Sequence, residues 1–203
     1  TTNSFATSRL VLLDPQNVQD IDAINKKNIE AALDAREQLG AHEVLVAGSL
    51  SHQVAWRRCR GEFKQQIDMF VSDEDMRQAF DEMVSFFTGG GVDVILLEMM
   101  SIPRRINLLF ERVSLTQLPV WCGFSAKRTE KTAPLCSWHD SSVKFRENIE
   151  LTIDYNFSVL GIMHSSVDII GESLRQIRRI SDRPLMAYPD SGYFRPPSWQ
   201  FEK

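Results

Sequence analysis

The chain has 203 residues, is 43% hydrophobic and 25% charged, and carries a formal net charge of -4. That length supports one domain with a sizeable core, and the composition is that of a soluble globular protein. The acidic balance, with a sequence pI of about 5.6, argues against nucleic acid as the main partner, which needs a dominant basic face, and no apolar run approaches the ~18–20 residues of a membrane helix.

In chain order, Val18, Ile21, Ile24, Ala32, Ala35 and Leu39 fall on one helical stripe, with Asn17 as a plausible cap. "EVLVAGS" (43–49) reads as the first strand, and a long connection over 50–71 carries Trp56, Arg57, Arg58, Arg60 and Phe63. Ser72 with Asp75 forms a capping-box pattern, using Asp where Glu or Gln is usual. Met76, Phe80, Met83 and Phe87 follow at helical spacing, and Gly89-Gly90-Gly91 ends the pattern. "VDVILLE" (92–98) is the second strand; Pro103 suits the first turn of a helix that buries Ile106, Leu109, Phe110 and Val113. "PVWCGFS" (119–125) is the third strand, followed by a second long connection, 126–141, with Lys127, Arg128, Lys131, Trp138 and His139. "SVLGIMH" (158–164) is the fourth; Ser165 with Asp168 then caps a helix whose stripe is Ile170, Leu174, Ile177 and Ile180. "PLMAYP" (184–189) is the fifth strand.

Near-continuous apolar runs rich in Val, Ile and Leu suit strands buried on both faces of a parallel sheet. Strands alternating with helices mean βα units, so the fold class is α/β, either an open doubly wound sheet or a (β/α)₈ barrel. A full barrel runs to roughly 250 residues and eight strands. The chain is short of that, begins with "TTNSF" and stops at "WQFEK". The expectation is a single domain over 1–203, of TIM-barrel type, with the first and last βα units absent. Such a partial barrel exposes sheet edges, which favours burial by a second copy in a homo-oligomer.

In either architecture the ligand sits outside the carboxyl ends of the strands. The residues there are Gly48-Ser49, Glu98, Ser125, His164 and the run from Tyr188 to Gly192. Glu98 directly follows an apolar run, where a carboxylate is costly to bury unless paired. Its partner is a cationic substrate group such as an amine, or else it forms a salt bridge to Arg104 or Arg105 or caps the following helix. The aromatic and cationic residues of the two long connections either line a pocket or form solvated surface. "HDSS" (139–142) and "HSS" (164–166) suggest a Ser/His/Asp triad only superficially, because no G-x-S-x-G elbow is present. There is no GxGxxG and no P-loop. Cys59, Cys122 and Cys136 are too few and too scattered for a disulfide framework, and no signal-peptide pattern is visible, so a reducing cytoplasm is the simplest setting.

Several of these segments, taken in order, resemble the homocysteine S-methyltransferase family, which includes betaine- and S-methylmethionine-dependent enzymes. "TTNSF" (1–5) is similar to the end of its second barrel strand, "VAGSL" (46–50) to AGSIGP, and "GVDVILLEMMS" (91–101) to GvDlllfET. "PVWCGFS" resembles P-v-w-v-S-f-s, "LGIMHSS" (160–166) falls where the family has G-v-N-C, and "RPLMAYPDSG" (183–192) resembles K-P-l-i-v-Y-P-N-S-G. The resemblance implies a (β/α)₈ barrel with a zinc ion at its top, moving a methyl group from an onium donor to the homocysteine thiol. Zinc with three protein ligands and one open position lowers the thiol pKa and so supplies the thiolate nucleophile. On the matching positions it implies that Glu98 holds the substrate amino group and that His164 stands where the family has its first zinc-binding cysteine. It further implies that Asp190, where Asn is usual, and Ser191 belong to a top loop, that Ser125 ends a site-facing strand, and that Phe5 lies near the methyl donor. Trp56, Trp121 and Trp138 with Phe5 could cage an onium group by cation–π contact. The family's D-G-G-M/T-G-T motif and its terminal G-G-C-C, which supplies the other two ligands, have no counterpart here. Three readings stay open: a zinc-dependent methyltransferase acting on homocysteine or a related thiol, a non-catalytic binding or scaffold relative that lost its metal site, and an unrelated barrel enzyme using Glu98 and His164 as an acid–base pair.

Overall fold

The five apolar runs lead to the five strands of one parallel sheet, and β1, β4, β5 and β8 are largely buried, as runs of this composition favour, whereas β9 is half-buried to exposed. A computed structural model describes residues 1–12, 20–53, 56–59, 62–66, 71–190, 192–195 and 198–200. The elements are α1 (Ile21–Gln38), β1 (Ala47–Ser51), β2 (Trp56–Cys59), β3 (Glu62–Gln66), α2 (Asp73–Gly90), β4 (Val94–Met100), α3 (Pro103–Val113), β5 (Val120–Phe124), β6 (Ala126–Lys127), β7 (Cys136–Ser137), α4 (Phe145–Glu150), β8 (Val159–Met163), α5 (Val167–Arg178), β9 (Leu185–Tyr188), β10 (Tyr193–Arg195) and β11 (Ser198–Gln200). The sheet order is β1-β4-β5-β8-β9. Successive strands of the sheet are therefore neighbours, which is the signature of consecutive βα units. The long connections hold antiparallel pairs that apolar periodicity did not reveal: β2 with β3, and β6 with β7. β10 and β11 form a third.

The chain divides into two compact units, Thr1–Leu97 with Asn107–Val120, and Glu98–Ile106 with Trp121–Lys203. In the first, the "TTNSF" segment runs beside β1: the Thr2 amide donates to Ala47 O at 2.9 Å and the Ser4 hydroxyl to Ser49 O at 2.7 Å. The buried line of α1 is Ile21, Asn25 and Ile29, whereas Leu39 is 81% exposed just past the helix end. Asn25 can occupy a core position because its amide is satisfied: it donates to Ile21 O at 3.1 Å and Thr7 O at 3.2 Å, and accepts from Thr7 Oγ1 at 2.5 Å. The helix is capped by Asp20; Asn17 and Val18 lie outside the described residues. α2 follows the sequence reading closely. Ser72 and Asp75 exchange both capping-box bonds, and Met76, Phe80, Met83 and Phe87 are buried. The stop comes at Gly91, whose φ of 81° is left-handed. Ile106, Leu109, Phe110 and Val113 of α3 are all buried, as their spacing requires.

In the second unit, α5 buries Ile169, Ser173 and Ile177, while Ile170, Leu174 and Ile180 are only half-buried. The buried stripe thus keeps Ile177 but runs one residue earlier, through Ile169 and Ser173, in the first two turns. Ser173 is accepted there because its hydroxyl donates to Ile169 O at 3.0 Å within the helix. The N-cap is Ser166, not Ser165. Ser165 is fully buried and already committed, donating to Met163 O at 2.9 Å and accepting from the Ala126 amide at 3.0 Å. The six-residue α4 was too short to show a period; Phe145 anchors it edge-to-face on Phe124 with ring centroids 6.2 Å apart.

Gly123 and Gly161 lie opposite each other across β5 and β8, and Gly161 also faces Met186 of β9. A Cβ at Gly161 would strike the Met186 carbonyl, which the strand pairing holds; one at Gly123 would strike the flexible end of Met163. Gly161→Ala is therefore expected to destabilise by about 1–3 kcal/mol, lowering Tm by roughly 2–4 °C per kcal/mol, and Gly123→Ala by less, because a methionine end can rotate away. Thermal unfolding followed by circular dichroism checks this; equal losses at the two sites would contradict the packing argument.

Candidate functional site

Three segments of the second unit bring together Glu98 of β4, His164 directly after β8, and Asp190 just beyond β9. Glu98 lies inside its strand, two residues before the end at Met100, not at its tip as the apolar run implied. Met99 follows it with φ 60°, and His164 has φ 45°. Both are left-handed conformations that side-chain-bearing residues seldom adopt, and such residues cluster at functional sites. The His164 backbone is held by its amide donating to Tyr188 O at 2.9 Å, and the next turn by the Asp190 amide donating to Ser165 O at 3.1 Å.

This backbone aims the imidazole between two carboxylates. Nε2 lies 3.4 Å from Glu98 Oε2, and Nδ1 lies 3.5 Å from Asp190 Oδ1. Tyr188 packs edge-to-face on the ring, centroids 5.7 Å apart. The carboxylates are each 14% exposed and the imidazole 30%, so solvent screens the pairs incompletely. The hydrogen bond to Glu98 raises the His164 pKa above the ordinary imidazole value; burial opposes this, and the charges of Glu98 and Asp190 add to the rise. With an acceptor at each nitrogen, both are satisfied only when both carry a proton. One imidazolium then faces two carboxylates, and the cluster keeps a net negative charge that favours a cationic ligand group.

The other residues singled out by sequence distribute as follows. Ser125 is fully buried, and its hydroxyl donates to Met163 O at 2.9 Å. Phe5 belongs to the other unit, half-buried, its carbonyl accepting from Ser51 Oγ at 2.7 Å. Ser191 lies outside the described residues, as do the side chains of Trp56, Arg57, Arg58, Arg60 and Phe63. Trp121 and Trp138 are half-buried. Arg128 pairs with Glu172 at 2.5 Å, and Arg105 is fully buried. Burial pushes the Cys122 thiol well above its usual pKa, which makes it inert, and the Cys136 thiol donates to Lys127 O at 3.4 Å. Sequence reasoning placed Tyr188 among the strand-end residues without giving it a role against His164, and missed the Ser101–His139 contact. A recurrent signal was available: Ser51, Ser101, Ser125 and Ser165, all buried, sit at or just past the ends of β1, β4, β5 and β8.

A zinc ion does not fit the described residues. Among them no group of three or more His, Cys, Asp or Glu side chains could hold a metal ion. The two carboxylates lie against different nitrogens of one imidazole, so a single ion cannot take all three. Nor, among the described residues, is any helix long and apolar enough to cross a membrane.

Comparison with known proteins brings in the family. The sequence profile of homocysteine S-methyltransferase matches residues 1–202. No protein of curated function matches the sequence. Among solved structures, the metallated form of the homocysteine methyltransferase MmuM from Escherichia coli is similar with a TM-score of 0.70 at 21% identity, covering 94% of this chain and 66% of that one. The oxidized form gives 0.69 at 20% identity, covering 94% and 65%, and the apo form 0.63 at 22%, covering 84% and 61%. At this identity the likeness carries the fold: the five-stranded parallel sheet and its helices match part of a larger methyltransferase structure, and the chain spans about 66% of the metallated relative's length. With the profile running through nearly every residue, the chain belongs to the homocysteine S-methyltransferase family.

Proposed function

We propose that the protein serves transfer of a methyl group from an onium donor, such as betaine or S-methylmethionine, to the thiol of homocysteine. The observation that carries this reading is the Glu98–His164–Asp190 cluster, net negative and placed at the carboxyl ends of β4, β8 and β9, in a chain of this family. Homocysteine carries an α-ammonium group, and Glu98 is the carboxylate that receives it. His164 spans Glu98 and Asp190 and so fixes the direction in which Glu98 presents its oxygens. Ser125 ties the ends of β5 and β8 together through its hydroxyl, which donates to Met163 O.

The transfer itself needs little acid–base help. The homocysteine sulfur, as thiolate, forms a bond to the donor methyl carbon while the donor's carbon–sulfur or carbon–nitrogen bond breaks, and the electron pair leaves with the donor, whose positive charge is thereby cancelled. The thiol proton is lost to solvent, and a thiol of ordinary pKa near ~8.5 is mostly protonated at neutral pH. Zinc would favour that loss, and one similar structure is of a metallated form. His164 could offer a metal one nitrogen only by releasing a carboxylate, and the remaining ligands would come from beyond the described residues, so no step is assigned to it. A cytoplasmic setting supports the reading, because reducing conditions keep the substrate thiol free. A second reading, binding without transfer, is favoured by the engagement of both His164 nitrogens with carboxylates.

Isothermal titration of the chain with L-homocysteine tests the substrate. Glu98→Gln is expected to weaken binding by about 10–100-fold, the range for a hydrogen bond to a charged group. An unchanged affinity would remove Glu98 from the site, and binding with no methyl transfer from any onium donor would favour the second reading.

His164 provides a pH test that needs no substrate. Its folded pKa is raised, so the charged form contributes stability that is fully present below the unfolded value of about 6.5 and is lost as pH rises through the folded value. NMR titration of the His164 ring is expected to show a pKa above the ordinary range, falling in Glu98→Gln. A ring that titrates normally in both proteins would contradict the cluster.

A further inference from the structure

We propose that His139 is a positioning residue for Glu98, acting through Ser101 on the left-handed backbone at Met99; the inference rests on the reading that Glu98 receives the substrate ammonium. Met99 directly follows Glu98 and has φ 60°. A methionine adopts that conformation only where its surroundings hold it. What holds it is a hydroxyl: Ser101 Oγ donates to Met99 O at 3.0 Å and lies 2.5 Å from His139 Nδ1. The carbonyl can only accept, and the hydroxyl has one hydrogen to give. The two contacts are satisfied together when His139 carries its proton on Nδ1. The relay then runs from Nδ1–H to the Ser101 oxygen, and from the Ser101 hydrogen to the Met99 carbonyl, each bond polarising the next.

The same assignment disposes of a nucleophilic role for Ser101. A general base needs a free lone pair toward the hydroxyl, and here Nδ1 presents a proton to it. Ser101 is fully buried besides. The pair is a brace, and the connection that carries His139 is built to hold it. On one side Ser137, also fully buried, donates its hydroxyl to Ser101 O. On the other, the Trp138 amide donates to Ser125 O at 3.2 Å, and the Ser125 amide to Met100 O at 3.2 Å. The connection closes on itself through β6 and β7 and is tied to α5 by Arg128 and Glu172. His139 thus stands on a fixed frame against the one peptide whose turn sets the direction of Glu98.

The test uses the chain with ¹³C-methyl-labelled methionine, in the parent, His139→Ala, His139→Asn and Glu98→Gln proteins and the His139→Ala/Glu98→Gln double variant. An asparagine amide places an N–H near the position of Nδ1–H, so it restores the donor without the ring. The Met99 methyl resonance, read without ligand, is expected to move in His139→Ala and to stay near the parent position in His139→Asn. L-homocysteine affinity is expected to fall about ten-fold in His139→Ala and by about two-fold or less in His139→Asn. In the Glu98→Gln background His139→Ala is expected to add no further loss, because residues acting in series are not additive. A Met99 resonance unmoved by His139→Ala, or an equal affinity loss with and without Glu98, overturns the proposal. Should His139→Ala fail to fold by circular dichroism, Ser101→Ala, which cuts the same relay and keeps the imidazole, takes its place with the same expected results. If parent and Glu98→Gln bind homocysteine alike, the substrate reading fails by itself, and the Met99 resonance still decides the positioning role.

Discussion

Two carboxylates compete for one imidazole, and the polar end of the second unit is arranged around that competition. Glu98 and Asp190 come from positions 92 residues apart in sequence by their numbering, and neither would tolerate near-burial without a cation close by. His164 meets both because it leaves the strand geometry, at φ 45°, and places its ring between them, where their charges favour its protonated form. The surplus negative charge that results is a property of the three residues together. It gives the site a preference for a cationic group.

Around this cluster the strand ends are stitched by buried hydroxyls. Ser125 bonds to Met163 O, Ser165 to Met163 O and the Ala126 amide, Ser137 to Ser101 O, and Ser101 to Met99 O. Each bond satisfies a backbone group that the ending strand would otherwise leave unpaired out of water. Serine suits the task because it is small enough to stay inside the sheet end and carries both a donor and an acceptor.

Much of the fold was legible in the sequence. Five apolar runs predicted the five strands of the sheet, although the first strand lies at Ala47–Ser51, past the exposed Val44 and Leu45, and β9 is half-buried to exposed. The stripes of α2 and α3 predicted their buried apolar residues, because a wide apolar stripe and a capping box leave few alternatives. The errors are equally physical. In α1 and α5 a hydrogen-bonded polar residue, Asn25 or Ser173, holds the centre of the buried face, and hydrophobicity alone cannot show that a polar group will be satisfied. The antiparallel pairs in the long connections carry mixed polar sequence with no clear alternation, so their pairing left no periodic trace.

For the site, the sequence by itself determined the inventory: a glutamate closing one apolar run, a histidine closing another, an aspartate beyond a third, and the order of segments that marks the family. Those are local features, set by residue identity and by spacing along the chain. Only the tertiary structure decided that the histidine lies between the two carboxylates, that the described residues do not fit a metal, and that His139 meets Ser101 behind Glu98. Each of these depends on where strand ends distant in sequence stop and on two residues with left-handed backbone, and neither register nor dihedral angle is written in composition or period.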